Sequence, residues 1–277
     1  MVYQIIKPMN NNVILAKESD SQNEVILIGR GIGFNKKPGQ DVNLQNHEVD
    51  RIFRTYDEKY KEHYFSLLKG IDSSVLGVCA EIVSEAEKEF GKISQKLFLV
   101  LTDHISFALE RIRNGLDISN PFLYEIKMLY PNEYSMGLRA QKMIYNAVKI
   151  EIPEGEVGFI ALHIHAARQK KDVKDAVKNT RIIKELIKLI ESRLNKRIQM
   201  GTLIYDRLVS HLWYCLDRIE KGESIDNPLG DTVKAQFPEA YAIAREMVNY
   251  IETSLNKTVY ENELVYMTIH IDRIRRS

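Results

Sequence analysis

Hydrophobic and polar positions change rhythm once along this chain. Short β-branched runs at Val2–Lys7, Val13–Lys17 and Glu24–Ile28 predict strands. The polar segment 18–23 between the last two predicts a turn. Gly29, Gly31 and Gly33 alternate with Arg30, Ile32 and Phe34. In a strand, such alternation predicts close approach of another backbone or a ligand. A turn at Lys36–Gly39 and a final strand near Val49–Thr55 complete a β-domain of about 55 residues. A unit that small would be helped by a dimer partner. From about Tyr56 the spacing becomes helical. Leu97, Val100, Leu101, His104, Ile105 and Ala108 recur at three and four residues, as do Ile182, Ile183, Leu186, Leu189, Ile190 and Leu194. Asn179 and Thr180 are read as N-caps of the latter helix. The charged stretch 168–175 is read as a connector.

The helical part repeats itself. His104 and His211 are 107 positions apart, and so are His163 and His270. The same offset relates Arg111 to Arg218, Gly115 to Gly222, Asn120 to Asn227, Pro131 to Pro238, Tyr134 to Tyr241 and Glu156 to Glu263. That period is domain-sized and too long for a solenoid. The fold class expected is a small antiparallel β N-terminal domain followed by two homologous all-α helical-bundle domains. The expected limits are 1–57, 58–171 and 172–277.

Composition narrows the chemistry. With 44% hydrophobic and 28% charged residues, the chain reads as globular rather than disordered. A net charge of +1 excludes a global basic field, so any nucleic-acid site must be local and geometric. Two cysteines, Cys79 and Cys215, are too few for a disulfide framework and fit a reducing cytoplasm. No signal peptide or membrane-length apolar run is evident, so no membrane insertion is expected.

Four of the seven histidines occupy matched positions in the two copies; His47, His63 and His165 do not. Seven residues are close to two helical turns, which places His104 with Arg111 and Glu156 with His163 on common stripes. The second copy repeats this with His211 and Arg218, and with Glu263 and His270. The Glu would fix an imidazole tautomer, and the Arg would meet an anion placed on a histidine. The plainer alternative is that these Arg and Glu residues form surface salt bridges. Metal binding lacks ligand spacing, and hydrolysis lacks a nucleophile motif. Phosphoryl acceptance remains, because neutral imidazole is nucleophilic near pH 7. No metal, cofactor or enzymatic activity is expected.

Asn10, Asn11, Asn12 and Val13, together with the run from Ile28 to Lys37, resemble the co-antiterminator RNA-binding domain of the BglG/SacY/LicT family of transcriptional antiterminators. The runs around His104, His163, His211 and His270 resemble that family's two PTS regulation domains. The runs from Thr102 to Ala108 and from Gly158 to His165 are most similar to its glucose-type (GlcT) subgroup. The resemblance covers essentially the whole chain. It implies a cytoplasmic homodimer that binds a messenger RNA hairpin overlapping a terminator, so that transcription of a sugar permease gene continues. It places Lys7, Asn10, Asn12, Gly29, Arg30, Phe34 and Asn35 at the RNA surface, where asparagines read base edges and Phe34 stacks. It further implies phosphorylation of His104, His163, His211 and His270 by HPr and a sugar-specific permease EIIB domain. Asp103, Arg111, Glu156, Arg218 and Glu263 would support those sites. Asp103 beside His104, with Ser210 at the matched place, would let the two copies respond differently. Coupling to the β-domain would run through residues 56–64, and residues 1–57 alone would bind RNA constitutively. A DNA-binding activator with the same regulatory domains is the first alternative, which would need a helix-turn-helix start. A phosphocarrier is the second, and a metal-sensing helical repeat the third.

Overall fold

A computed structural model describes residues 1–21, 23–45, 47–54, 71–116, 119–223 and 230–277. Five strands, β1 (Val2–Asn10), β2 (Val13–Glu18), β3 (Glu24–Ile28), β4 (Asp41–Asn43) and β5 (Arg51–Arg54), form one antiparallel sheet in the order β4-β1-β2-β3-β5. Among the described residues ten helices follow: α1 (Ser73–Phe90), α2 (Lys96–Arg113), α3 (Leu123–Leu129), α4 (Pro131–Val148), α5 (Glu154–Arg168), α6 (Val173–Leu194), α7 (Leu203–Lys221), α8 (Gly230–Gln236), α9 (Pro238–Leu255) and α10 (Glu261–Arg276). The β-then-α class expected from the pattern is what the chain adopts. Among the described residues the strand-built start carries no helix-turn-helix, which removes the basis for the DNA-binding alternative.

At β3 both faces of the sheet are buried, which explains why that strand reads as a continuous apolar run rather than an alternating one. Tyr3, Ile5, Ile14, Ala16, Val25 and Leu27 form a core on one face. Met9, Val13, Ile26 and Ile28 on the other face join the core of α1 and the helices behind it. Each such side chain contributes about 1.5–3 kcal/mol on full burial. Helix α1 is buried almost all round for the same reason, with sheet on one side and α2 and α4 on the other. Its start is capped by Asp72, whose Oδ1 accepts the Ser74 amide at 2.7 Å. An Arg51–Glu87 ion pair ties β5 to α1.

Several expectations are corrected. The run 29–34 is not strand but a loop after β3, with Gly31 at φ +73°. The close backbone approach read from its glycines is present. A Cβ on Gly29 would sit 2.0 Å from the Glu48 carbonyl oxygen, and one on Gly33 would sit 2.1 Å from that of Asn10. Strand β4 carries only three residues and was not foreseen. Helix α6 starts at Val173, so Asn179 and Thr180 are not its caps; Thr180 Oγ1 bonds back to the Ala176 carbonyl at 2.9 Å, inside the helix. The connector shrinks to residues 169–172. The proposed coupling segment 56–64, the repeat pair position Asn227 and the end of the last expected strand at Thr55 lie outside the described residues.

The duplication holds at element level. Shifting α3 and α4 by 107 residues gives the limits of α8 and α9, and α2 and α5 map onto α7 and α10 within one residue. Each pair α4/α9 opens with a proline at its first turn and closes with a left-handed residue, Lys149 or Asn256. The packing units divide the chain differently from the repeat. One comprises residues 1–120 and 130–173; the other comprises 121–129 and 174–277. The second has its own core, in which Tyr205, Leu208, Leu212, Met247 and Ile271 are buried.

Gly33→Ala is expected to destabilise the first unit by about 1–3 kcal/mol, because the added methyl meets rigid backbone rather than a yielding side chain. Chemical denaturation followed by circular dichroism would measure it; an unchanged midpoint would contradict the close approach.

Candidate RNA interface and histidine pairs

The two N-terminal motifs are one structure. The hairpin tip between β1 and β2 folds because Asn10 Oδ1 accepts the Asn12 amide at 2.8 Å. The Gly29 and Gly33 amides donate to the Asn12 and Asn11 carbonyls, each at 2.9 Å. Asn12 Oδ1 accepts the Gly31 amide at 2.9 Å. The loop therefore lies against the tip and presents Arg30, Phe34 and Asn35 outward, with Lys7 exposed on β1. Phe34 is 60% exposed, which leaves its ring face open beside Arg30 and Asn35. Gly29 is buried, so its part is to admit the Glu48 backbone. Asn35 takes φ +54°, a conformation asparagine tolerates better than most residues.

Helix α1 reaches this surface. Asn12 Nδ2 donates to Glu81 Oε1 at 2.9 Å. The Asn10 amide lies over Gly77, where a Cβ would come within 2.4 Å of Nδ2. A cleft of about 680 Å³ follows, lined by Asn12, Arg30, Glu81, Lys88, Arg139 and Lys142 among others. Sequence reading missed Glu81, since nothing local marks a contact 69 residues away.

In each helical copy the two matched histidines face one another across two helices. The rings of His104 (α2) and His163 (α5) have centroids 4.8 Å apart; those of His211 (α7) and His270 (α10) are 3.8 Å apart. The Arg and Glu expected on the same stripes act across the helices instead. Arg111 donates to Glu156 Oε1 at 2.9 Å, and Glu156 Oε2 lies 2.9 Å from His104 Nε2. Arg218 grips Glu263 with two bonds, Nε to Oε1 at 2.6 Å and a terminal nitrogen to Oε2 at 2.8 Å. Glu156 thus serves His104 rather than His163. Both carboxylates are buried, so these are interior ion pairs rather than the surface bridges of the alternative reading. Asp103 makes no hydrogen bond or ion pair among the described residues. Tyr266, unremarked in the sequence, bonds His211 Nδ1 at 2.7 Å.

Burial sets the charge of these rings. Burial, aided by the neighbouring His104, pushes His163 down to about 3. Burial, then His211 and Arg273, lowers His270 to about 4. Burial and the nearby Arg207, Arg218 and Arg273 also lower His211. These three imidazoles are therefore neutral at pH 7 and carry a nucleophilic lone pair. Burial works to raise the Glu156 carboxyl, but His104 and Arg111 outweigh it and hold it below its ordinary value. His163 Nδ1 is buried without a hydrogen-bond partner. The ring lines a 220 Å³ pocket with Lys96, Lys170 and Lys171 and one acid, Asp172, a lining of net positive charge. A fifth histidine, His165, pairs with Glu133 at 3.1 Å; its counterpart in the second copy is Asp272, so the duplication does not keep that arrangement.

Neutral burial makes a pH prediction. The folded value of His163 lies below its unfolded value of about 6.5. Between those values only the unfolded chain takes the proton, so stability falls as pH drops through 6.5. The loss from this ring reaches about 2 kcal/mol by pH 5. His163→Gln should flatten the stability profile by that amount between pH 6.5 and 5; equal slopes in denaturant titrations would contradict it.

Comparison with known proteins agrees with the geometry. Residues 3–62 match the CAT RNA binding domain family, and residues 80–167 and 184–274 each match the PRD domain family. The GlcA/glcB genes antiterminator of Staphylococcus carnosus (strain TM300) is 34% identical over 98% of this chain and 95% of its own. The transcription antiterminator LicT of Bacillus subtilis (strain 168) is 34% identical over 98% of each. A crystal structure of GlcT CAT-PRDI covers 60% of this chain and 98% of its own at 35% identity, with a TM-score of 0.48. The chain belongs to the antiterminator family that joins a CAT RNA binding domain to two PRD domains.

Proposed function

We propose that this protein is a transcriptional antiterminator whose sheet binds an RNA hairpin overlapping a terminator, and whose helical copies regulate that binding through histidine phosphorylation by the sugar phosphotransferase system. One observation carries the regulatory half: both copies of the duplicated domain bring two histidines face to face, with His163 buried and the other three partly so. A structural histidine has no reason to recur as a facing pair in both copies. The phosphoryl acceptors are His104, His163, His211 and His270, supplied by HPr and by the EIIB domain of a sugar permease. Arg111, Glu156, Arg218 and Glu263 support them by joining the two helices of each pair. The RNA surface is Lys7, Asn10, Asn12, Arg30, Phe34 and Asn35, with Gly29 shaping the loop. The domain limits stay at 1–57, 58–171 and 172–277 as divisions of descent.

A phosphoryl group adds roughly −1.5 to −2 charge at neutral pH. Placed on one of two rings whose centroids are 4.8 Å or 3.8 Å apart, it forces the α2–α5 or α7–α10 contact to rearrange. The active form is a homodimer. Fragment 1–57 loses the cover that α1 gives to Met9, Val13, Ile26 and Ile28, and a second copy supplies a matching apolar face. Among the described residues no helix is long and apolar enough to cross a membrane.

The test incubates the full chain with phosphorylated HPr, with and without the EIIB domain, and maps phosphohistidine while scoring antitermination in vitro. Phosphate on the four histidines, with sugar control lost when all are alanine, is the expected result; intact control in that variant overturns the reading. RNA binding has its own prediction. Reading a base with the Asn12 amide requires breaking its bond to Glu81, a charged hydrogen bond of about 1.5 kcal/mol. Glu81→Ala should therefore raise affinity for the leader hairpin about tenfold, and Asn12→Ala should lower it. Filter binding at fixed salt would measure both, since affinity for RNA depends on salt.

A further inference from the structure

The two copies hold their first histidine by opposite sides of the ring. We infer that the first copy offers Nδ1 of His104 for phosphorylation while the second offers Nε2 of His211, and that Tyr266 is the residue that sets the difference. This rests on the reading that both rings accept phosphate.

In the first copy, Glu156 divides its oxygens. Oε1 takes Arg111, and Oε2 stands 2.9 Å from His104 Nε2, which is itself buried. The contact is close but off the line of a directed hydrogen bond, since neither atom has a hydrogen-bond partner among the described residues. A carboxylate can only accept, so the tautomer with its proton on Nε2 is the one it favours, which leaves the lone pair on Nδ1. Residue 159, on the same helix as His163, is phenylalanine and offers His104 only a ring edge at 5.8 Å. In the second copy, both oxygens of Glu263 are taken by Arg218, and no contact to His211 remains. The residue matching Phe159 is Tyr266, whose hydroxyl lies 2.7 Å from His211 Nδ1. Burial raises the Tyr266 phenol, so it stays un-ionised. A hydroxyl can donate or accept, and in either role it occupies Nδ1, accepting the Nδ1 proton in the tautomer that reacts at the opposite nitrogen. The lone pair is then on Nε2, which has no partner among the described residues.

The transfer balances in both copies. The donor's P–N or P–S bond breaks, its electron pair leaving with the donor nitrogen or sulfur. A P–N bond forms from the imidazole lone pair, and the ring keeps its proton on the opposite nitrogen. In the first copy that proton faces a carboxylate, which opposes the positive charge arriving on the ring. In the second it faces only a phenol. One hydroxyl thus makes two isomeric phosphohistidines from duplicated domains.

The test uses the folded full chain with ¹⁵N-labelled histidine, treated with phosphoramidate, a small phosphoryl donor that needs no partner protein. Long-range ¹H–¹⁵N correlation spectra distinguish the two isomers. The expected result is Nδ1-phosphohistidine at 104 and Nε2-phosphohistidine at 211. Tyr266→Phe should raise the Nδ1 share at 211 at least fivefold while 104, in the same molecule, stays unchanged. Phe159→Tyr should leave 211 unchanged and is the control for general disturbance. The same isomer at both positions, a ratio at 211 indifferent to Tyr266→Phe, or no phosphate at either ring would overturn the inference. If the isomers differ as stated but phosphorylated HPr and EIIB label neither ring, the functional reading fails while the ring geometry stands.

Discussion

The arginine–glutamate pair between the helices of each copy is the constraint on which the rest depends. Arg111 on α2 holds Glu156 at the start of α5, and Arg218 on α7 holds Glu263 at the start of α10. Glu156 and Glu263 are 2% and 0% exposed, so neither charge has water to fall back on. Removing one partner of a buried pair costs about 3–5 kcal/mol, whereas the intact pair adds little net stability. Its value is in register. The pair joins the two helices that carry the facing histidine rings. The acid lies in the first turn of its helix, where the helix dipole also favours it.

The same pair makes the two copies alike in plan and unlike in detail. One carboxylate oxygen of Glu156 is spared for His104; Glu263 spares none. A bidentate arginine is the tighter clamp, and it leaves the second histidine to a neighbouring phenol. Duplicated domains can therefore diverge in chemistry through one oxygen and one hydroxyl, without moving a helix. At the other end of the first unit, α1 closes a sheet face and one acid of α1 engages Asn12. The helix that completes the core is also the one that touches the asparagine hairpin tip.

What was legible in the sequence follows from distance along the chain. The repeat was visible because His104 and His211, or Glu156 and Glu263, need no fold to be compared. The sheet-then-helix order and the two asparagine and glycine motifs were visible because hydrophobic period and turn residues are local. Contacts between elements were not. Spacing of seven put Glu156 with His163, but the acid leans across to α2, and only packing could say so. Glycines 29, 31 and 33 resemble strand punctuation, yet their backbones are drawn into a loop by bonds to Asn11 and Asn12. Thr180 looks like a cap by residue type and lies inside α6, bonded to its own turn. Tyr266 carried a signal that went unread: its match in the first copy, Phe159, differs by one oxygen beside a histidine pair.

Helix α3 descends from the first copy, yet it packs in the second unit, where the Tyr205 hydroxyl bonds the buried Glu125. Its counterpart α8 packs against α9 and α10 of its own copy. The polypeptide consequently passes between the two units at residues 120–121, 129–130 and 173–174. A protease nick in the short 169–172 segment would sever one of these threads and leave two, so the halves would stay leashed. A truncation ending at residue 171 would carry α3 away from its bed, leaving Tyr124, Met128 and Leu129 bare on one fragment and an open groove on the other.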